Sequence, residues 1–188
     1  GTWEMLAPMN TPRYGLVLAS VGGRLYAIGG DNGTRVCMAN EAYDADEGRW
    51  VEVAPMLRPL AGGKAAVHNG QIYYVGGCDD NEELSAHTLV YDPEQDRWDY
   101  ALAGATAERL CLRAGRTSFA MALLGESARG GPAEGHAGQR GARGGKAHLV
   151  VTGGVSGSPG ELFLTDTEVL HLGGAGSSET ERRDPGWL

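Results

Sequence analysis

Three tryptophans, Trp3, Trp50 and Trp98, stand 47 and 48 residues apart, and other landmarks keep the same step. The pair Gly29-Gly30 returns as Gly76-Gly77, and Tyr43-Asp44 returns as Tyr91-Asp92. The runs between them are alike: Gly23-Arg24-Leu25-Tyr26-Ala27-Ile28 parallels Gly70-Gln71-Ile72-Tyr73-Tyr74-Val75. Landmarks in one fixed order at one period mean that a single supersecondary unit is repeated. Such a unit buries its apolar faces only by stacking on its neighbours.

Within each unit, short apolar runs bounded by Gly, Pro, Asn and Asp predict four strands. In the first unit they fall at 13–20, 25–29, 38–43 and 49–53, and in the second at 64–68, 71–75, 87–91 and 97–101. Asn69-Gly70 is a strong hairpin signal, because both central residues of a type I′ turn need positive φ; Val21-Gly22-Gly23 serves the first unit in the same way. After Ala101 the pattern loosens. Residues 116–124 make a first strand, the run from His148 ending in Gly153-Gly154 a second, and 167–172 a third, with Leu170-His171 where Tyr-Asp stands elsewhere. Only 106–114 carries a weak helical pattern. Residues 125–146 hold eight glycines, three arginines and no aliphatic residue beyond alanine, which predicts a disordered insertion. Its Arg-Gly spacing fits a solvated loop better than an RNA-binding tail in an acidic chain. Residues 173–188 contain no fourth strand and read as a flexible tail.

A double glycine closing the second strand, Tyr-Asp on the third and Trp on the fourth, at a period near 50, resembles the kelch repeat. Ala7-Pro8-Met9 and Ala54-Pro55-Met56 after the tryptophans resemble the kelch-like (BTB-kelch) branch. A WD-repeat reading has only Trp98-Asp99 to support it. The resemblance implies an all-β fold of kelch-type propeller blades in an incomplete ring of about three, at 13–53, 59–101 and 116–172, with an orphan strand at 2–6 completing the third. Kelch-like rings generally have six blades, so a truncated kelch domain is expected, half of a two-chain ring being the alternative. The landmarks Trp3, Gly29, Gly30, Tyr43, Asp44, Trp50, Gly76, Gly77, Tyr91, Asp92, Trp98, Gly153 and Gly154 are then structural. The glycines allow close backbone approach, the aromatics pack between blades with an indole N–H free to find a carbonyl, and each Asp bonds turn amides after the third strand.

Composition narrows the function. Lys and Arg total 16 against 24 Asp and Glu, a net charge of −8, which disfavours nucleic-acid binding. No apolar run approaches the roughly 20 residues that span a bilayer. The start at Gly1 shows no secretion signal and no initiator Met, so a segment of a longer chain is expected. Cys37, Cys78 and Cys111 form no Cys-x-x-Cys and have no histidine at finger spacing, while His68, His87, His136, His148 and His171 are scattered singly. No metal site and no cofactor is expected, and a reducing, cytoplasmic location fits.

No nucleophile elbow, phosphate loop or catalytic carboxylate pair occurs, so no enzyme is expected. A copper centre like that of galactose oxidase, which shares the architecture, is the remote alternative. The kelch-like resemblance implies a module that recruits a protein or peptide substrate to a cullin-type ubiquitin ligase through a BTB domain outside these residues. A scaffold associated with actin is the other reading. Partner contacts are expected on the rim loops, at Arg13, Arg35, Arg58, Asp79, Asp80, Glu82 and Glu83. Four carboxylates within five residues favour a basic or mixed-charge segment, with Arg35 on the neighbouring loop as one available counter-charge. That departs from kelch proteins that hold acidic peptides with clustered arginines.

Overall fold

The computed structural model describes residues 1–103, 108–125, 147–157 and 163–172. Most of the expected insertion, from 126 to 146, and the expected tail at 173–188 lie outside these residues; Gly125 itself ends a strand.

Blade 1 consists of β1 (Val17–Val21), β2 (Arg24–Ile28), β3 (Asn40–Asp44) and β4 (Arg49–Val53), each antiparallel to the next. Blade 2 repeats the order with β5 (Lys64–His68), β6 (Gln71–Val75), β7 (Thr88–Asp92) and β8 (Arg97–Tyr100). A two-residue pair, β9 (Leu102–Ala103) with β10 (Glu108–Arg109), follows. Blade 3 has β11 (Ala120–Gly125), β12 (Ala147–Thr152) and β13 (Thr167–Leu172). Glu108–Arg109 occupy part of the stretch with weak helical patterning, so that expectation is corrected: an extended partner strand outweighs so weak a helical signal. The described residues hold no helix long and apolar enough to cross a membrane.

The first strand of blade 1 starts at Val17 rather than at residue 13. Tyr14 makes only an isolated bridge with Asp31, and the chain bends at Gly15, with φ +61°, before the ladder begins. The blades then stack through their first strands, β1 against β5 and β5 against β11, as propeller blades do.

Two apolar layers hold the stack. Between blades 1 and 2, Tyr26, Ile28 and Ala42 meet Ile72, Tyr74, Leu89, Tyr91 and Trp98, with Met56 and Leu60 from the connection filling in. Tyr26 meets Tyr91 edge-on at 5.6 Å. Between blades 2 and 3, Val75, Ala66 and Tyr73 lie against Phe119, Leu149, Val151 and Leu172.

The tryptophans show what the repeat is for. Trp98 Nε1 donates to the Ala54 carbonyl at 3.1 Å, and Trp50 Nε1 to the Ala7 carbonyl at 3.0 Å, so each Ala-Pro-Met segment receives the indole of the unit after it. Trp3 has no such partner and is fully exposed. Residues 2–6 form no strand, which corrects the expected orphan strand and the role given to Trp3. Among the described residues β13 ends the sheet of blade 3, and no strand pairs with its outer edge. The uncovered side of blade 1 tells the same story. Leu25, Tyr43 and Trp50 are only half-buried, whereas their repeat equivalents Ile72, Tyr91 and Trp98 are at 0%, 2% and 3% exposure beneath blade 1.

Arg13 is not a rim residue. Its side chain is fully buried; the guanidinium donates to the carbonyls of Gly29 and Ala39 and pairs with buried Glu41 at 2.9 Å. It is thus a strut inside blade 1, placed where the chain enters the core. The equivalent residue of blade 3, Arg116, is likewise fully buried and pairs with Asp166 and Glu168. Glu41 and Glu168 occupy the same place in the repeat, two residues before Tyr43 and Leu170. Blade 2 replaces both partners, with Leu60 and Leu89 at 0% exposure in one core cluster. Two chemistries fill one repeat position: an ion pair in the outer blades and an aliphatic pair in the middle one.

Candidate functional site

Four antiparallel strands run alternately up and down, so the loop after the second strand and the connection after the fourth emerge at the same end of every blade. At this end, between blades 1 and 2, lies an open cleft of 480 Å³ lined by Tyr14, Asp31, Arg35, Asp79, Asp80 and Glu82 among others. Cys78 and Val36 form part of its floor.

The loops that carry these groups are held by their own side chains. Asp31 Oδ1 accepts from the Gly33 amide at 2.7 Å, and Oδ2 accepts from the Tyr14 hydroxyl at 2.9 Å. Asp79 Oδ1 accepts from the amides of Asn81 and Glu83, and Asp80 Oδ1 accepts from the Val36 amide of the neighbouring blade, latching the two loops together. Such carboxylate-to-amide bonds shape turns without neutralising charge. The resulting negative field reaches the neutral acids nearby. The Tyr14 hydroxyl is pushed above its ordinary pKa by the hydrogen bond and charge of Asp31. The Cys78 thiol is pushed up first by burial and then by Asp79, Glu82 and Asp31.

The structure gathers Arg35, Asp79, Asp80 and Glu82 around one cleft, and it leaves exposed Glu83 just outside it. Arg58, from the connection between blades, pairs with Asp79 at 3.5 Å, and exposed Arg35 lines the cleft. Arg58 starts from a partly buried position beside the loop, so less side-chain entropy opposes its pairing. Tyr14 was missed as a site residue, and Asp31 is legible only as the first residue of the rim loop that carries Arg35. The signal for Asp31 lay in the repeat: it follows its double glycine as Cys78 does, which assigns the two residues to adjacent loops.

A second grouping lies near the same blade. His87 Nδ1 sits 3.1 Å from Cys111 Sγ, and the Arg109 guanidinium stacks 3.8 Å over the Tyr100 ring. Burial, then the charges of Arg58 and Arg109, push the His87 pKa down, and burial pushes the Cys111 thiol up. A neutral imidazole beside a protonated thiol is a packing contact, since nucleophilic work needs the thiolate. Among the described residues no group of three or more His, Cys, Asp or Glu is placed to hold a metal ion.

Residues 12–57 and 59–101 match the model of the Kelch motif. No curated protein matches the chain. Among solved structures, that of YjhT superposes with a TM-score of 0.65 at 17% identity, covering 98% of this chain and 56% of that chain. The likeness at this identity is one of fold, and the chain spans little more than half the length of that neighbour. The chain therefore carries two consecutive kelch motifs, each folded as a four-stranded blade of a partial kelch-type β-propeller.

Proposed function

We propose that this chain is a non-catalytic protein-interaction module whose cleft between blades 1 and 2 holds a basic segment of a protein partner. The observation that carries the reading is the set of four carboxylates, Asp31, Asp79, Asp80 and Glu82, around one cleft, with Arg35 as the cation among its lining residues. Amide partners of Asp31, Asp79 and Asp80 fix the loops, and only Asp79 is answered in part, by Arg58, so a Lys- or Arg-bearing segment meets a preorganised, net anionic surface. On the further proposal that the chain belongs to a BTB-kelch adaptor, the captured segment is a substrate delivered to a cullin-type ubiquitin ligase. Three free cysteines, Cys37, Cys78 and Cys111, suit the reducing cytoplasm in which such ligases work.

Peptides selected from a random display library against the chain are expected to be enriched in Lys and Arg. Changing Asp79, Asp80, Glu82 and Glu83 to Asn or Gln keeps the side-chain oxygens that shape the loop and removes four charges. That variant is expected to bind the selected peptides with a several-fold slower association rate and a flatter salt dependence. The effect falls mainly on the rate because each exposed pair is worth only about 0–1 kcal/mol. Selection of acidic or purely apolar peptides, or an unchanged salt slope, would remove the cleft from the reading. Copurification of a cullin with the full polypeptide tests the adaptor part separately.

A further inference from the structure

The side of β12 and β13 that faces blade 2 carries Leu149, Val151, Leu170 and Leu172. Strand residues alternate between faces, so His148 and His171 project from the opposite side. The register places them directly across from one another. Their Nδ1 atoms are 2.7 Å apart, with ring centroids at 4.6 Å and planes at 85°. Leu124 completes their row, the next row is Ala122, Val150 and Val169, and the third is Ala120, Thr152 and Thr167. Among the described residues of β11, β12 and β13, the two imidazoles are the only ionisable side chains on this face.

We infer that His148 and His171 form a two-imidazole site for a divalent transition-metal ion of the Ni(II) or Cu(II) class, in preference to Zn(II). Imidazole suits all of these ions, so geometry has to discriminate. With metal–nitrogen bonds of about 2.0–2.1 Å, two cis ligands at a right angle lie about 2.9 Å apart, and two tetrahedral ligands about 3.3 Å. The 2.7 Å separation needs a small adjustment for square-planar or octahedral coordination and a larger one for a tetrahedral ion. Water fills the remaining positions. In the metal-free pair one Nδ1–H donates to the other Nδ1; on binding, that proton moves to Nε2 of the same ring, so both Nδ1 lone pairs reach the metal and no proton is lost at neutral pH. The site is independent of the acidic cleft and does not rest on its assignment.

The test uses Ni(II), which does not oxidise thiols, with the chain carrying Cys111→Ser so that the His87–Cys111 pair does not compete. Calorimetry is expected to show one equivalent bound, weakened about tenfold or more in His148→Gln or His171→Gln, and Zn(II) bound more weakly than Ni(II). Equal affinity in the parent and both variants overturns the proposal, and Zn(II) binding as tightly as Ni(II) overturns the preference. A readout that needs no histidine variant comes from the parent itself. Substoichiometric Ni(II) should broaden the ring-proton resonances of His148 and His171 together, before those of His68 or His87. Broadening of one ring alone, or of His68 first, shows that the pair is a hydrogen-bonded contact and nothing more.

Discussion

Arg13→Leu is expected to destabilise the chain by about 3–5 kcal/mol, the usual cost of leaving one member of a buried ion pair without its partner. Glu41, at 1% side-chain exposure, would keep its charge inside blade 1 with only the amides of Asn10 and Thr11 to bond it, and the Gly29 and Ala39 carbonyls would lose their donor. The double variant Arg13→Leu/Glu41→Leu copies the arrangement that blade 2 already uses in Leu60 and Leu89. It should recover more than half of the loss, because an apolar pair avoids the desolvation that an ion pair must offset. Urea denaturation of the three proteins measures both steps. A single variant within about 1 kcal/mol of the parent, or a double variant less stable than the single, would show that the pair does not brace the blade.

Gly77→Val should be nearly as damaging, with an expected loss of about 3–5 kcal/mol from left-handed backbone strain and overpacking together. Gly77 has φ +89°, and a Cβ built there would stand 2.7 Å from the Ala61 carbonyl oxygen and 3.1 Å from the Gly63 amide nitrogen. Both are backbone atoms of the connection packed beneath the strand, so no side chain can swing aside. Gly70→Ala provides the contrast. Gly70 has φ +75° in the hairpin turn and nothing within 4 Å of a Cβ, so only the conformational penalty of about 1–2 kcal/mol remains. Similar losses at the two positions would mean that torsion alone, and not close blade packing, explains the double glycines.

Much of this fold is legible in the sequence because the repeat reports the same physics twice. Asp44 and Asp92 were expected to bond turn amides, and they do: Asp44 Oδ1 accepts from Asp46 and Glu47, and Asp92 Oδ1 from Glu94 and Gln95. The indoles of Trp50 and Trp98 find their carbonyls at equivalent places. Local needs of this kind, positive φ, a turn cap or a large apolar face at a fixed offset, are written in residue type and spacing. Arg13 shows where that legibility stops. In the sequence it is a charged residue beside a proline in a connection, which favours the surface; what it contacts is set by Glu41 two strands away and by the cover of neighbouring chain.

Charge on the rim divides in the same way. The acidic run Asp79, Asp80, Glu82, Glu83 is visible in the chain, but sequence spacing does not decide which cation answers it. Arg58 does so because the connection between blades passes beside Asp79. The joining of Asp31 and Tyr14 to that run, like the meeting of His148 with His171, depends on how loops and strands from different segments are brought side by side. By itself the sequence determined the unit, its four-strand order, its turns and its apolar layers, since each follows from preferences acting over a few residues and repeated every 47 or 48. Only the tertiary structure decided which charges are buried, which carboxylates share a cleft and which imidazoles meet, because burial and pairing depend on which distant segments the fold brings side by side, within a blade or between two.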